Sequence, residues 1–193
     1  MADDRRVMVA VTGASGMVYA RRLLEVLPQT YDRIYLTASD NALDIMRDEL
    51  GIERIEQLIP AGAAPRFSIF CPSDLHAPPA GGLHEYEGLA IVPCSMGVVG
   101  RVAAGISDDL VTRAADVCLK ERRRLVLLVR EMPLNLIHLR NLTALAEAGA
   151  AVLPACPAFY TRPGSINDLV DFVVDRVLSA LGSGIRLVAR WGE

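Results

Sequence analysis

Aromatic residues, charged residues and long apolar runs are all scarce in this sequence. Aromatic side chains make up 5% and charged side chains 22% of its 193 residues, whereas 52% are hydrophobic. Such a composition excludes an intrinsically disordered chain, which needs few apolar residues and much charge. The longest apolar runs have about seven residues, far fewer than the roughly 20 of a membrane-spanning helix, so we expect no membrane insertion. The apolar excess favours a homo-oligomer, because one small domain cannot bury it all.

A strong positive charge, a cysteine cluster and an export signal are missing as well. The formal net charge is −3, which provides no electrostatic basis for binding nucleic acid. The four cysteines are widely spaced without a Cys-x-x-Cys pair, a pattern that predicts reduced thiols rather than a zinc site. The first residues are acidic and lack an apolar signal core. We therefore expect a cytoplasmic protein that binds no metal.

Short apolar runs alternate with longer amphipathic runs along the chain. Val7–Val11, Leu89–Val92 and Leu125–Val129 are typical of strands buried on both faces. The alternation predicts an α/β fold, with one doubly wound parallel sheet in a three-layer sandwich of the Rossmann or flavodoxin type. We expect one domain over residues 1–193, with only the Pro-, Ala- and Gly-rich segment Pro60–Gly82 lacking a predicted element. The other predicted strands are Ile34–Thr37 and Ala151–Leu153, and the predicted helices are Met17–Leu27, Asn41–Leu50, Val98–Ala104, Asp109–Leu119, Leu136–Ala148 and Ile166–Leu181.

Ligands of such sheets bind at the carboxyl ends of the strands, and three of these ends carry small or polar residues. The turn Thr12–Gly16 has glycines and the Ser15 hydroxyl, which suit a phosphate at a helix N-terminus but also any tight strand-to-helix turn. Ser39 follows the next strand, where a helix N-cap is favoured and a ligand role stays open. In Pro93–Gly97, Cys94 fits either a nucleophile or a small residue beside a planar ring, and we favour the second.

The remaining strand ends carry an arginine, a glutamate and a tyrosine. Arg130 and Glu131 follow a buried strand, where arginine can bind an anion and a glutamate of raised pKa can transfer a proton. The basic run Arg122–Arg124 is instead interpreted as a solvated helix end. Tyr160 fits packing and ligand contact equally well. Together, these ends suit a phosphorylated ligand, with room for an aromatic group, and they do not define a reaction.

Taken in order, these segments resemble the flavin prenyltransferase family, called UbiX or Pad1 and formerly labelled aromatic acid decarboxylases. The resemblance extends over nearly the whole chain. Its most specific stretches are RAADVCLKERR (Arg113–Arg123) and REMPL (Arg130–Leu134). The weaker ones are TGASG (Thr12–Gly16), PCS (Pro93–Ser95), the segment His138–Asn141, AFY (Ala158–Tyr160) and ARW (Ala189–Trp191).

The resemblance implies a metal-independent transferase. It would attach the dimethylallyl group of dimethylallyl monophosphate to N5 of reduced FMN and close a fourth ring at C6. The product, prenylated FMN, would pass to a decarboxylase of the UbiD type. The family also implies a homo-oligomer with twelve copies of the chain.

The matching motifs imply a role for each candidate site residue. Glu131 would transfer the proton with assistance from Ser15, and Arg130 would contact FMN. Arg176 lies on the otherwise apolar stripe of the last predicted helix, where a charge needs an anionic partner. The rest of the FMN site would comprise Gly13, Ala14, Ser39, Ser95, Met96, Gly97 and Val98. Dimethylallyl phosphate would be bound by Arg113, Lys120, Tyr160, Arg176 and Glu49, with groups from neighbouring subunits.

The chain departs from the family pattern where flavin and donor should meet. Ala80–Leu83 replaces an Ala-Ser-Gly-Ser segment, and Val98 stands where threonine is common. Because hydroxyl groups are missing there, an FMN-binding or prenyl-FMN-binding subunit without transferase activity stays open as an alternative. A related flavoprotein decarboxylase acting on cysteine-type substrates is a second alternative. It would need a PASANT-like segment and a catalytic histidine, which Pro93–Gly97 lacks.

Overall fold

Six strands and six α-helices make up the fold in the computed structural model, which describes residues 4–189. Arg190 and Trp191 of the ARW motif lie outside the described residues. Within the described part, none of the helices is both long and apolar enough to cross a membrane. The strands are β1 (Arg6–Val11), β2 (Arg33–Ala38), β3 (Phe67–Ile69), β4 (Gly88–Cys94), β5 (Arg124–Val129) and β6 (Ala151–Pro154), and the helices are α1 (Met17–Val26), α2 (Asp40–Leu50), α3 (Met96–Ala103), α4 (Leu110–Lys120), α5 (Leu136–Glu147) and α6 (Ile166–Leu181).

The six strands form one parallel sheet in the order β3-β2-β1-β4-β5-β6. This confirms the predicted doubly wound α/β sheet. The order is that of the Rossmann sheet, in which the direction of winding reverses between β1 and β4. At such a switch point the loops that follow the two strands diverge and leave a crevice at the carboxyl edge.

Helices cover both faces of the sheet and give the fold its three layers. Val7, Val9 and Val11 of β1 share one core with α1, α2 and α6, whereas Met8 and Ala10 share the other core with α3, α4 and α5. Successive side chains of a strand point to opposite faces, and all five of these are fully buried. A strand buried on both faces therefore reads as a continuous apolar run.

Most predicted boundaries lie within two residues of those in the structure, and two differences have a clear physical reason. The segment without a predicted element contains β3, which pairs with β2 through only Phe67–Ile69. Three residues are too few to show the alternation that identifies a strand. The helix predicted from Val98 starts at Met96, because the Ser95 hydroxyl caps it and accepts a hydrogen bond from the Val98 N–H at 3.4 Å.

Helix α5 leaves a large apolar surface uncovered. Of its twelve residues only Leu145 is buried. The exposed fraction is 60% for Leu136, 67% for Ile137 and 87% for Met132 in the preceding loop. Contiguous apolar surface of this kind marks protein–protein interfaces. We call the surface formed by Met132, Leu134, Leu136, Ile137 and Leu139 the α5 patch.

Candidate functional site

A cleft of about 330 Å³ opens at the switch point of the sheet. Its size falls in the range of small-molecule sites, about 300–1,000 Å³. The loops after β1, β4 and β5 line it, together with one side chain of α2. Seven of the eight lining residues are predicted site residues, and Ile45 is the exception, since its position in a helical stripe gave no functional signal. The lining residues are Gly13, Ala14, Ser15, Ile45, Ser95, Met96, Arg130 and Glu131.

Hydrogen bonds tie the three loops of the cleft together. The Thr12 hydroxyl is buried, donates to the Pro93 carbonyl at 2.9 Å and accepts from the Ser95 N–H at 2.9 Å. Arg130 Nε donates to the Ser15 carbonyl at 3.3 Å. Thr12 was not among the predicted site residues, because its role appears only in these contacts between loops.

Two glycines of the first turn are required by packing and by backbone conformation. A Cβ at Gly13 would lie 2.7 Å from Cβ of Asn41 on α2, closer than side chains tolerate. Gly16 has a φ of 113°, in the left-handed region that favours glycine. The turn therefore needs these glycines to pack against α2 and to start α1, whatever ligand lies above it.

A carboxylate of the protein occupies the N-terminus of α1. Glu49, near the end of α2, accepts hydrogen bonds from the Gly16 N–H at 3.0 Å and from the Met17 N–H at 2.8 Å. Helix N-termini attract anions because their first N–H groups lack partners and carry the positive end of the dipole. The Gly16 and Met17 N–H groups are therefore bonded to a carboxylate of the protein itself. Glu49 also lies beside the cleft, apart from the other residues assigned to the donor.

Four other residues of the predicted strand ends do not line the cleft, namely Ser39, Cys94, Gly97 and Val98. The Ser39 hydroxyl accepts a hydrogen bond from a backbone N–H of α2 at 3.3 Å, so Ser39 is the expected N-cap. Cys94 is buried, and burial raises the pKa of its thiol, which disfavours the nucleophilic thiolate. The side chain of Val98 is buried in the core, whereas Gly97 is exposed beside the cleft loop.

Two residues assigned to the donor, Arg113 and Lys120, lie on α4. The helix ends at Lys120 and leads into the start of β5, so Lys120 lies at the amino edge of the sheet. Glu131 follows the other end of β5, and six extended residues span about 20 Å. Arg113 pairs with Asp116 at 2.8 Å, and Lys120 pairs with Glu121. One chain therefore does not bring Lys120 to the cleft.

The last two residues assigned to the donor, Tyr160 and Arg176, lie beside α6. The ring of Tyr160 meets that of Phe172 edge to face, with 6.0 Å between centroids and 88° between planes. Arg176, Phe172 and Cys156 line a pocket of about 220 Å³ under the loop after β6. The predicted site residues thus form three groups on one chain.

The predicted position of Arg176 on the apolar stripe is wrong. Arg176 is exposed, and the charged residue on the buried face of α6 is Asp175, of which 4% is exposed. Its carboxylate accepts a hydrogen bond from the Leu187 N–H at 2.8 Å and pairs with Arg186 at 3.5 Å. Adjacent helical residues lie 100° apart, so an error of one residue at the edge of a stripe changes burial completely.

The basic run Arg122–Arg124, which leads into β5, is only partly solvated, in contrast to the prediction. Arg122 and Arg124 are exposed, but Arg123 is half-buried and donates to the carbonyls of Gly82 at 2.5 Å and His84 at 2.8 Å. The sequence cannot reveal this contact, since the acceptors lie about 40 residues earlier.

Comparisons with known proteins agree in sequence and in fold. The family model described as Flavoprotein matches residues 1–178. A flavin prenyltransferase UbiX of Thermoplasma acidophilum is 45% identical over 188 residues, covering 96% of this chain and 99% of that protein. The crystal structure of AnUbiX (PadA1) in complex with FMN and dimethylallyl pyrophosphate has a TM-score of 0.85 at 36% identity, with 97% and 99% of the two chains covered. A dodecameric FMN-dependent UbiX-like decarboxylase of Escherichia coli O157:H7 has a TM-score of 0.88 at 36% identity, covering 97% of this chain and all of that one.

Proposed function

This chain belongs to the UbiX family of flavin prenyltransferases, and we propose that it transfers a dimethylallyl group from dimethylallyl monophosphate to reduced FMN. In the proposed reaction the donor C–O bond breaks and phosphate leaves. The allylic carbon bonds to N5, which loses its proton. Ring closure then takes up one proton at the remaining double bond and releases one from C6. The observation that carries this proposal is the cleft at the switch point, where Ser15, Arg130 and Glu131 converge.

The cleft suits a flavin mononucleotide. The loops after β1 and β4 line it with small residues such as Gly13 and Ala14, which allow a planar ring to approach closely. Arg130 is fixed through Nε to the Ser15 carbonyl, and its terminal nitrogens form no hydrogen bond with any residue that the structure describes. These N–H groups are therefore available to acceptor atoms of FMN.

Glu131 and Ser15 supply the groups that move a proton. Glu131 lies in the cleft, and its Oε1 accepts a hydrogen bond from the Met132 N–H at 3.0 Å. Its second oxygen can accept the proton that ring closure releases. The half-buried Ser15 is in the same cleft, where its hydroxyl can donate to or accept from the reacting groups.

Several copies of the chain complete the donor site in this proposal. Glu131 and Lys120 lie at opposite ends of β5, about 20 Å of extended chain apart, which is far longer than dimethylallyl phosphate. A neighbouring copy can bring Lys120 to the cleft. The α5 patch, with Ile137 67% exposed, provides apolar surface for such contacts. We propose a dodecamer, the assembly named for the similar Escherichia coli protein.

The monophosphate is proposed as donor because fixed cations can take up its charge as it leaves. Arg113, Lys120 and Arg176 provide three positive charges, and preorganised charges stabilise a leaving phosphate without reorganisation. We further propose a UbiD-type decarboxylase as recipient of prenylated FMN and the cytoplasm as location. Four free thiols are typical of a reducing compartment.

Anaerobic incubation followed by mass spectrometry of the released flavin tests the proposal. Reduced FMN is supplied with dimethylallyl monophosphate in one reaction and with the diphosphate in another. We expect a gain of one C5 unit with the monophosphate. Gain with the diphosphate alone would correct the donor. Bound but unmodified FMN in both reactions would favour a flavin-binding subunit, the alternative that the missing hydroxyls of Ala80–Leu83 support.

A further inference from the structure

A short loop, residues 80–84, is held against α4 and the turn that follows it by two arginine side chains. Arg123 donates to the carbonyls of Gly82 and His84 at 2.5 and 2.8 Å, and Arg113 Nε donates to the carbonyl of Ala80 at 3.1 Å. The three hydrogen bonds satisfy carbonyl groups for which no helix or strand provides a partner. We call this segment the arginine-held loop.

The guanidinium of Arg123 has a fixed orientation. It lies over the ring of Tyr86, 4.6 Å from the centroid. Tyr86 is buried, and its hydroxyl donates to the Pro79 carbonyl at 3.1 Å. A planar guanidinium can thus stack on the ring and reach two carbonyls at once, which the single ammonium of lysine cannot do.

The arginine-held loop approaches the ion pair of Lys120 and Glu121. A Cβ added at Gly82 would lie 2.7 Å from Lys120 Nζ and 2.7 Å from Glu121 Oε1. The backbone of Gly82 therefore forms a wall against the ammonium group. If the loop moves, the space open to that ammonium changes.

We propose that Arg123 is a positioning residue, which holds the loop against α4 and thereby places the Lys120 ammonium for the phosphate of the prenyl donor. The inference rests on the proposed function, in which Lys120 binds that phosphate. Arg123 itself does not bind the donor, since the loop carbonyls and the Tyr86 ring engage its guanidinium.

Arg123→Lys tests the proposal, with Arg122→Lys as its matched control. Arg122 is exposed, and its side chain forms no hydrogen bond within the described part of the chain. Titration calorimetry measures the binding of dimethylallyl monophosphate to protein loaded with oxidised FMN, so no turnover interferes. We expect the Kd to rise about 10-fold in Arg123→Lys, about 1.4 kcal/mol, and to stay within about 2-fold in the control. FMN affinity should be unchanged in both. In turnover assays KM for the donor should rise while kcat stays within about 2-fold.

Gly82→Ala tests the same contact from the loop side. The added methyl group must displace Lys120 or Glu121 and should raise the donor Kd. Gly81→Ala is the control, because a Cβ there would meet only the Pro78 carbonyl, at an ordinary 3.5 Å. Neither glycine has a left-handed φ, so backbone strain does not confuse the comparison.

A double-mutant cycle with Lys120→Ala shows whether Arg123 acts through Lys120. Once Lys120 is absent, Arg123→Lys should cause no further loss of donor binding. Additive losses would overturn the proposal, as would wild-type donor affinity in both Arg123→Lys and Gly82→Ala. A folding defect in Arg123→Lys would appear in its thermal midpoint, and Gly82→Ala then decides. If wild-type protein fails to bind the donor, the proposed function fails first.

Discussion

Glu131 is the one acidic side chain among the described residues that line the cleft. Replacement by glutamine keeps the size and hydrogen bonding of the side chain but removes its capacity to accept a proton. We expect Glu131→Gln to bind FMN within about 2-fold of wild type and to lose about 100-fold or more of its turnover, as is typical when general acid–base catalysis is lost. Flavin titration and timed mass spectrometry measure the two effects.

Glu53→Gln is a suitable control for that experiment. Glu53 is exposed and does not line the cleft, so both measurements should match wild type. If Glu131→Gln also turned over at the wild-type rate, Glu131 would have no part in proton transfer.

Single residues show where prediction from the sequence succeeds and where it fails. Ser15, Arg130 and Glu131 converge as predicted, because each follows a parallel strand and such strands end at one edge. Asp175 and Arg123 were missed. Burial of Asp175 depends on a shift of one residue around a helix, and the contacts of Arg123 depend on a distant loop. That residues following parallel strands lie at one edge of the sheet can be predicted from the sequence, but which side chain bonds across loops cannot.

Among the elements, α4 carries Arg113 and Lys120, the two residues predicted to bind the prenyl donor. Asp109 caps the N-terminus of this helix. Asp109 Oδ1 accepts a hydrogen bond from the Thr112 N–H at 2.8 Å, and Oδ2 accepts from Arg101 at 2.7 Å. Burial raises the pKa of Asp109, but the hydrogen bonds from Thr112 and Arg101 outweigh it and hold this pKa below its usual value. The ionised carboxylate therefore stabilises the folded chain.

Asp109→Ala should lower the free energy of unfolding by about 1–2 kcal/mol, as expected for the loss of an N-cap. Asp109→Asn keeps the cap but removes the charge. Because the folded pKa is lowered, the charge contributes above the unfolded pKa, about 3.9, and its contribution disappears as the pH falls through the folded value. Wild type and Asp109→Asn should therefore differ at pH 7 and converge below about pH 4. Urea denaturation at fixed protein concentration measures this.

Asp108→Asn is the control for α4, since Asp108 is exposed and pairs with the same Arg101 at 2.8 Å. An exposed ion pair contributes at most about 1 kcal/mol, so this variant should change stability less than Asp109→Ala. Equal losses of unfolding free energy in the two variants would show that the Asp109 cap stabilises the chain no more than an exposed ion pair does.

The bounds of a helix can be predicted from the sequence when the residues that start and end it are its neighbours in the chain. The prediction for α6, Ile166–Leu181, has the bounds that the structure shows. The helix starts at the Ser165 cap, which accepts a hydrogen bond from Asp168, and it ends at Gly182, whose φ is 67°. In contrast, β3 consists of three residues and exists because β2 offers a free edge. A strand that depends on its neighbour leaves little signal in its own sequence.

For the whole molecule, the sheet determines which residues one copy can supply. Alternating strands and helices predicted the parallel sheet but not its strand order, since alternation does not specify which strands are neighbours. The observed order places β1, β4 and β5 side by side and their loops around one cleft. In the proposed site, Lys120 lies at the opposite edge of its own sheet and therefore serves the cleft of another copy. The α5 patch provides apolar surface through which copies can associate.

Mixed oligomers of two inactive variants test this sharing directly. Lys120→Ala retains Glu131, and Glu131→Gln retains Lys120, so a site that takes one residue from each of two copies is intact in some mixed assemblies. With random association in equal amounts, about a quarter of the sites combine the two intact residues. We expect co-expressed, doubly tagged oligomers to regain about that fraction of wild-type prenylated FMN formation, whereas each variant alone stays inactive. If both residues served one site within a single chain, no mixture would restore an intact site, and activity at the level of the separate variants would contradict the shared site.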